Sequence, residues 1–157
     1  MDGKRHEPIE QMEVFRRYVE IADWAWDEVQ DWSPLARDTV GKQLIRAADS
    51  IGANMVEGDG RFTDADGLHF FIIARASARE ARYWIQQAVK RNLVSAEEGD
   101  AQTDALAAAT QLLSRLINYR RAHKAVKVTE AAAPYVTPDD PFVMVFPETT
   151  IAEKGNE

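Results

Sequence analysis

Ser50-Ile-Gly-Ala-Asn-Met-Val-Glu-Gly-Asp-Gly-Arg61, the stretch SIGANMVEGDGR over residues 50–61, decides how the chain is read. Ile51 and Met55 continue an apolar row begun by Leu44 and Ala48, with the four-and-three spacing of one helix face. Beside that row runs a polar one. At about 100° per residue, Arg46, Ser50, Asn54 and Glu57 fall on a single stripe flanking the apolar face. The segment then ends in Gly58-Asp59-Gly60 and Arg61. Glycine accepts the left-handed conformation that helix ends often need, so the spacing predicts a helix stopping here.

Three more helices are legible around it. Ser33-Pro34 is a start signal, because serine caps well and proline suits the first helical position. The second helix therefore runs from Pro34 to about Glu57. The first is read from about Pro8 to Asp31, with Phe15, Val19, Ala22, Trp26 and Val29 as one apolar stripe and Val14, Tyr18, Ile21 and Ala25 as another beside it. So wide a face predicts contact on two sides, within the bundle and with a second subunit. Thr63 or Asp64 caps a third helix to about Asn92, whose seam is read as Phe70, Ala74, Ser77, Ala81, Trp84 and Ala88. Its small residues admit a neighbouring helix closely. Ser95-Ala-Glu-Glu98 is a capping-box pattern opening a fourth helix to about Lys127, with Leu106, Ala109, Leu113 and Leu116 inward. Long helices joined by short connections predict an all-α, antiparallel up-down-up-down four-helix bundle.

The bundle is assigned to residues 1–128 and an irregular, Pro-rich tail to 129–157. Pro134, Pro138, Pro141 and Pro147 exclude a continued helix there. The tail is acidic, and its apolar run Phe142-Val-Met-Val-Phe146 leaves two readings open: a loose terminus, or a segment docked on a bundle.

Composition narrows the function. The chain has 157 residues, the size of one domain. It contains no cysteine, which excludes disulfides, a thiolate zinc site and a thiol nucleophile. No apolar run approaches the ~20 residues of a membrane span, and the opening MDGKRHEPIEQ has no signal-peptide core. A cytoplasmic protein without a membrane partner is expected. The net charge of −7 disfavours nonspecific nucleic-acid binding by the whole molecule.

The polar stripe admits two explanations. As an active site, the stripe offers Ser50 no histidine base, since none of His6, His69 and His123 shares a helical face with it; Glu57 and Glu80 would be the carboxylate pair for acid–base work. As a structural network, Arg46, Ser50, Asn54 and Glu57 would meet Ser77 and Glu80 on the third helix, with Arg61 reaching back from the turn, or would bond across subunits; such a network must be fully satisfied when buried. Metal motifs fail. Asp66-x-x-His69 is half of a di-metal bundle motif without its second half, and Asp64-Ala-Asp66-Gly67 lacks the end positions of a calcium loop. No catalytic residue, metal or cofactor is assigned. Two basic strips stand out: Arg75, Arg79, Arg82 and Lys90 on one face of the third helix, and Arg120, Arg121, Lys124 and Lys127 toward the end of the fourth. They are the candidate nucleic-acid contacts, although a solvated face explains them too.

The combination Gln43-x-x-Arg46-Ala47-Ala48-x-Ser50-Ile51-x-x-Asn54-x-x-Glu57-Gly58-x-Gly60-Arg61, followed by Phe70-x-x-Ile73-Ala74-x-x-Ser77-x-x-Glu80, resembles the four-helix-bundle proteins named for bacterial 23S ribosomal RNA intervening sequences. Val14-Phe15 is similar to the family's opening pair, and the resemblance spans about residues 12–125. It implies an antiparallel bundle assembled as a ring-shaped homopentamer. Accessory variability proteins of diversity-generating retroelements share that fold, but they are basic and lack the Ser-x-x-Asn-x-x-Glu-Gly signature. The reading that follows is a non-enzymatic, homo-oligomeric scaffold associating with RNA or a ribonucleoprotein. The alternative is an enzyme using Ser50, Asn54 and Glu57.

Overall fold

In a computed structural model, residues 7–61 and 63–131 are described, with the side chains of residues 64 and 123–131 left aside. A 3₁₀ turn, Ile9–Gln11, leads into helix α1 (Glu13–Gln30). Helix α2 covers 34–59 in three parts: a first turn Pro34–Ala36, a π turn Arg37–Gly41 and the α-helix Lys42–Asp59. Helices α3 (Asp64–Lys90) and α4 (Ala96–Ala131) complete the set. No strand occurs among the described residues. No helix there is long and apolar enough to cross a membrane.

The helix boundaries follow from capping chemistry. Ser33 Oγ accepts from the Ala36 N–H at 3.4 Å, with Pro34 in the first helical position. Thr63 rather than Asp64 caps α3, accepting from the Asp66 N–H. Ser95 caps α4 by accepting from the Glu98 N–H at 3.1 Å. Only half of that capping box forms, because Glu98 Oε1 accepts instead from Gln102 one turn on. Helix α3 ends in a Schellman motif: the Leu93 N–H reaches the Ala88 carbonyl and the Asn92 N–H reaches Val89. Asn92 takes the left-handed position at φ 55°.

Each helix packs on its two neighbours in the order α1–α2–α3–α4–α1, and α2 packs most extensively on α3. Ends meet starts throughout. Val29 and Trp32, at the close of α1, touch Gly41 in the π turn of α2; Gly58 meets Gly67 and Phe71; Val89 meets Gly99. These contacts are those of an antiparallel bundle. The core holds Tyr18, Leu44, Ile51, Met55, Phe71, Ile85, Leu106, Leu113 and Ile117. Tyr18 is a polar-tipped member of that set. Its hydroxyl donates to Thr110 Oγ1 at 3.1 Å, and Thr110 donates to the Leu106 carbonyl, so the group is paired although buried. Burial pushes the phenol up to about 12, outweighing the opposite effect of its hydrogen bond with Thr110.

Three expectations are corrected. The α3 seam is turned by one residue: Phe71, Ala78 and Ile85 lie at its centre with Ala74, Ala81 and Ala88, while Phe70 and Trp84 are half-buried at its edge. The first helix does not start at Pro8, because an extended Met12 separates the 3₁₀ turn from α1. The glycines closing α2 are not left-handed; Gly60 has φ −80°, and no described glycine has a positive φ. Gly58 is required by proximity instead. A Cβ there would lie 2.8 Å from the Gly67 carbonyl oxygen and 3.0 Å from Phe70 Cβ, and a Cβ on Gly67 would lie 2.6 Å from the Gly58 oxygen. Two backbones touch at this point, so no flexible side chain can yield.

The two glycines of the motif therefore differ. Gly58→Ala forces α2 and α3 apart and is expected to cost about 1–3 kcal/mol as an overpacking change, despite the roughly 1 kcal/mol that alanine gains in a helix. Gly60→Ala meets only ordinary contacts at 3.6 Å or more and is expected to stay within about 0.5 kcal/mol. Denaturant unfolding of both variants measures the difference.

Candidate interaction surface

The signature residues separate into an inward and an outward set at the end of α2. Asp59 points inward. Its Oδ1 accepts from Arg120 Nη2 at 2.6 Å, and its Oδ2 accepts from the backbone N–H of Ile9 at 3.1 Å. The pair is mostly removed from water, with 20% of the Arg120 side chain and 11% of the Asp59 side chain exposed. The Arg120 guanidinium also lies over the Phe71 ring, 4.5 Å from its centroid. One carboxylate and one guanidinium thus join the N-terminal turn, α2, α3 and α4. Asp59 escaped the sequence reading because its partner lies 61 positions away, a pairing that no local spacing displays.

The outward set forms no closed network within the chain. Arg46, Glu57, Arg61 and Glu80 are exposed, Ser50 and Asn54 are half-buried, and only Ser77 is buried. Of the bonds expected among these residues or across subunits, the single chain forms the Arg61–Glu57 pair. The reason is local: short polar side chains on a helix reach back to their own carbonyls. Ser50 Oγ donates to the Arg46 carbonyl at 2.6 Å, Asn54 Nδ2 to the Ser50 carbonyl at 2.6 Å, and Ser77 Oγ to the Ile73 carbonyl at 3.2 Å. Glu80 accepts from the Trp84 indole one turn along α3. The one pair the structure brings together is Arg61 with Glu57, an i,i+4 ion pair. Arg61 also stacks over Phe70 at 4.5 Å. Phe70 and Phe71 thus each carry an arginine, one outside the bundle and one inside.

The basic strips fare differently. Arg79, Arg82 and Lys90 are exposed and Arg75 is half-buried on α3. Arg82 and Lys90 line a depression whose other wall carries Asp100 and Asp104 of α4. Arg120 is paired with Asp59 and mostly buried, while Arg121 is exposed. The side chains of Lys124 and Lys127 lie outside the described residues. Asp66 bonds its own cap residue Thr63, and His69 is exposed with its ring edge-on to Phe70. Among the described residues no group of acidic or histidine side chains could hold a metal.

Exposed apolar residues mark a further face. Val19 and Trp26 on α1 are 37% and 59% exposed. Phe15 of the same stripe lies 3.5 Å from where a Gly52 Cβ would sit on α2, and Val56, one turn beyond Gly52, is 40% exposed. The first α1 stripe, apart from the buried Val29, is therefore an outer surface shared with α2, and the second stripe is the core one. In the groove between these helices, partial burial raises the Asp49 carboxyl above its ordinary value, and the charge of Asp23 adds to the shift. A cleft of about 690 Å³ lies between the start of α2 and the end of α3, with Leu35, Thr39, Gln43, Trp84 and Arg91 on its walls. It brings together none of the Ser50, Asn54 and Glu57 side chains.

The sequence profile of 23S rRNA-intervening sequence proteins matches residues 10–118. A crystal structure of a protein with unknown function from the S23 ribosomal protein family of Bacteroides thetaiotaomicron is similar in fold. Its TM-score is 0.59 at 22% identity, over 66% of this chain and 97% of that one. A comparison with curated proteins finds no match.

Replacing Arg120 by alanine strands the Asp59 carboxylate in a mostly dry position, with an expected loss of about 2–3 kcal/mol, near the lower edge for breaking a buried pair. Arg121→Ala, on exposed surface, is expected to stay within about 0.5 kcal/mol. Equal effects of the two substitutions on chemical unfolding would overturn the distinction.

Proposed function

We propose that this chain, which belongs to the 23S rRNA-intervening sequence protein family, works as a non-enzymatic, homo-oligomeric interaction protein. The observation that carries the reading is the apolar face of Val19, Trp26 and Val56, exposed on the isolated chain beside a half-buried Phe15. A tryptophan more than half exposed within such a face is what a subunit contact covers. The like-charged Asp23 and Asp49 in the same groove add a second reason, since an incoming cationic side chain relieves them. A ring needs two unlike faces, because a head-to-tail contact repeats around an axis. Tyr83 on α3, 50% exposed, and Leu35 on α2, 77% exposed, supply apolar surface for the second. A pentamer is the assembly that the family resemblance implies. The outward row Arg46, Ser50, Asn54, Glu57, Arg61 and Glu80 then serves contacts between subunits.

The chemistry of that row favours an interaction role over catalysis. The Ser50 hydroxyl and Asn54 amide donate to main-chain carbonyls, and Glu57 is paired with Arg61. A nucleophile needs a base within hydrogen-bond reach, and the Ser50 hydroxyl donates to the Arg46 carbonyl, which is not a base. An enzyme at Ser50, Asn54 and Glu57 would have to use as its base the Glu57 carboxylate, which Arg61 holds in an ion pair.

Wild-type protein at micromolar concentration is expected to sediment as an oligomer. Trp26→Glu changes an exposed side chain, so helix content should survive while assembly is lost. A monomeric wild type, or a variant that assembles undiminished, overturns the reading.

Association with RNA is the second part of the proposal. Arg79, Arg82 and Lys90 form an exposed basic strip, and a ring repeats it, so that individually weak contacts act together. Asp100 and Asp104 across the depression oppose phosphate there, which keeps the attraction modest. Binding of structured RNA should fall steeply between low and moderate salt, as phosphate neutralisation releases counterions. Substituting Arg79 and Arg82 together by alanine should weaken binding and flatten the salt dependence. No binding at low salt leaves protein–protein interaction alone.

A further inference from the structure

A second apolar groove lies away from the α1/α2 face, between the start of α1 and the latter half of α4. It measures about 420 Å³ and is walled by Met12, Val14, Leu112, Leu116 and Tyr119, with Glu13 and Arg115 at its rim. Met12, Leu112 and Leu116 are half-buried, and Tyr119 is 60% exposed. Leu112, Leu116 and Tyr119 recur at helical spacing, so α4 presents a narrow apolar row outside the core row of Leu106, Ala109, Leu113 and Ile117.

The same helix leads, past Ala131, into residues 132–157. That stretch holds one markedly apolar run, Phe142-Val-Met-Val-Phe146, between Pro141 and Pro147. Phe146, which precedes Pro147, is disfavoured in the helical region, and the β-branched Val143 and Val145 favour extended backbone. In an extended run, alternate side chains share a side, which places Phe142, Met144 and Phe146 together. Reach is sufficient. The helix from Leu116 to Ala131 spans about 22 Å at 1.5 Å per residue, while the eleven residues from Ala131 to Phe142 extend to about 36–40 Å at full stretch. Charge agrees as well. Residues 132–157 carry five acids (Asp139, Asp140, Glu148, Glu153, Glu157) and one lysine, Lys154, for a net −4. Residues 111–128 carry five basic residues and no acid, and four of the five remain when Arg120, the partner of Asp59, is set apart. Asp139 and Asp140 precede the apolar run as Arg115 borders the groove.

We propose that the α1/α4 groove is the docking site of the chain's own segment Phe142–Phe146, with Phe142, Met144 and Phe146 on Met12, Leu112, Leu116 and Tyr119. The segment covers an apolar strip that the bundle leaves open. The preceding acids lie against the basic latter half of α4. The same acids compete with phosphate for that surface, so docking lowers the affinity of the α4 end for polyanions.

The absence of native cysteine allows a direct test on the full chain. Tyr119→Cys combined with Met144→Cys should form an intrachain disulfide under mild oxidation. It should form at least severalfold faster than the pairing of Met144→Cys with Tyr83→Cys, an exposed position on α3. Equal rates for the two pairs, no cross-link, or cross-links only between chains overturn the proposal. A second variant, with Phe142 and Phe146 both changed to serine, gives a readout of opposite sign for the two cases. If the segment is docked, its loss uncovers the groove and raises binding of a hydrophobic dye severalfold. If the segment is free, removing two exposed phenylalanines leaves dye binding unchanged or lowers it, and the proposal fails.

Discussion

A carboxylate and a guanidinium brace the bundle across its diagonal. Helices α2 and α4 are not packing neighbours, yet Asp59 at the end of one reaches Arg120 of the other at 2.6 Å. The reach depends on the close approach of Gly58 and Gly67, which draws α2 and α3 together where the chain turns between them. With α3 so placed, Phe71 lies under Arg120 and gives the cation a ring face while water is excluded. The second Asp59 oxygen takes the Ile9 N–H and holds the N-terminal turn against the same end. A partly desolvated ion pair contributes to stability only when its remaining hydrogen-bonding capacity is used. Here the aspartate has a partner on each oxygen.

The brace explains the division of labour in the motif. Gly58 and Asp59 face in and define the end of the bundle. Arg46, Glu57 and Arg61 face out, and the polar groups between them are satisfied along their own helix, without a partner from α3. A surface satisfied in this way is stable in water. Its half-buried hydroxyl and amide still have hydrogen-bonding capacity for another subunit. On the far side of α2 the surface becomes apolar, through Gly52 and Val56 toward Phe15, Val19 and Trp26. One helix therefore separates a polar face from an apolar one, and both are available for assembly.

Much of this was legible in the sequence. The row Leu44, Ala48, Ile51 and Met55 is fully buried, because a four-and-three apolar repeat on a long helix leaves one way to face a core. The caps Ser33, Thr63 and Ser95 were readable because capping is a contact over three residues. The width of the α1 apolar face was visible as well. Periodicity does not say which of two adjacent stripes faces inward, and this also turned the α3 seam from Phe70 to Phe71. The role of the glycines was misread, since a Gly-Asp-Gly turn suggests conformational freedom and the requirement here is space. Arg120 looked like one of a basic cluster because its partner, Asp59, belongs to another helix. Contacts between distant segments are what a one-dimensional pattern omits.

The account stands on the inward and outward halves of the motif being energetically different. Double-mutant cycles measure this directly, since they isolate the pairwise coupling from the other effects of each substitution. The Asp59–Arg120 cycle, from chemical unfolding, should give a coupling of about 1–3 kcal/mol, in the range for contacting residues of one network. The exposed Glu57–Arg61 cycle should give no more than about 0.5 kcal/mol. A coupling near zero for Asp59 with Arg120, or one exceeded by that of Glu57 with Arg61, would contradict the account.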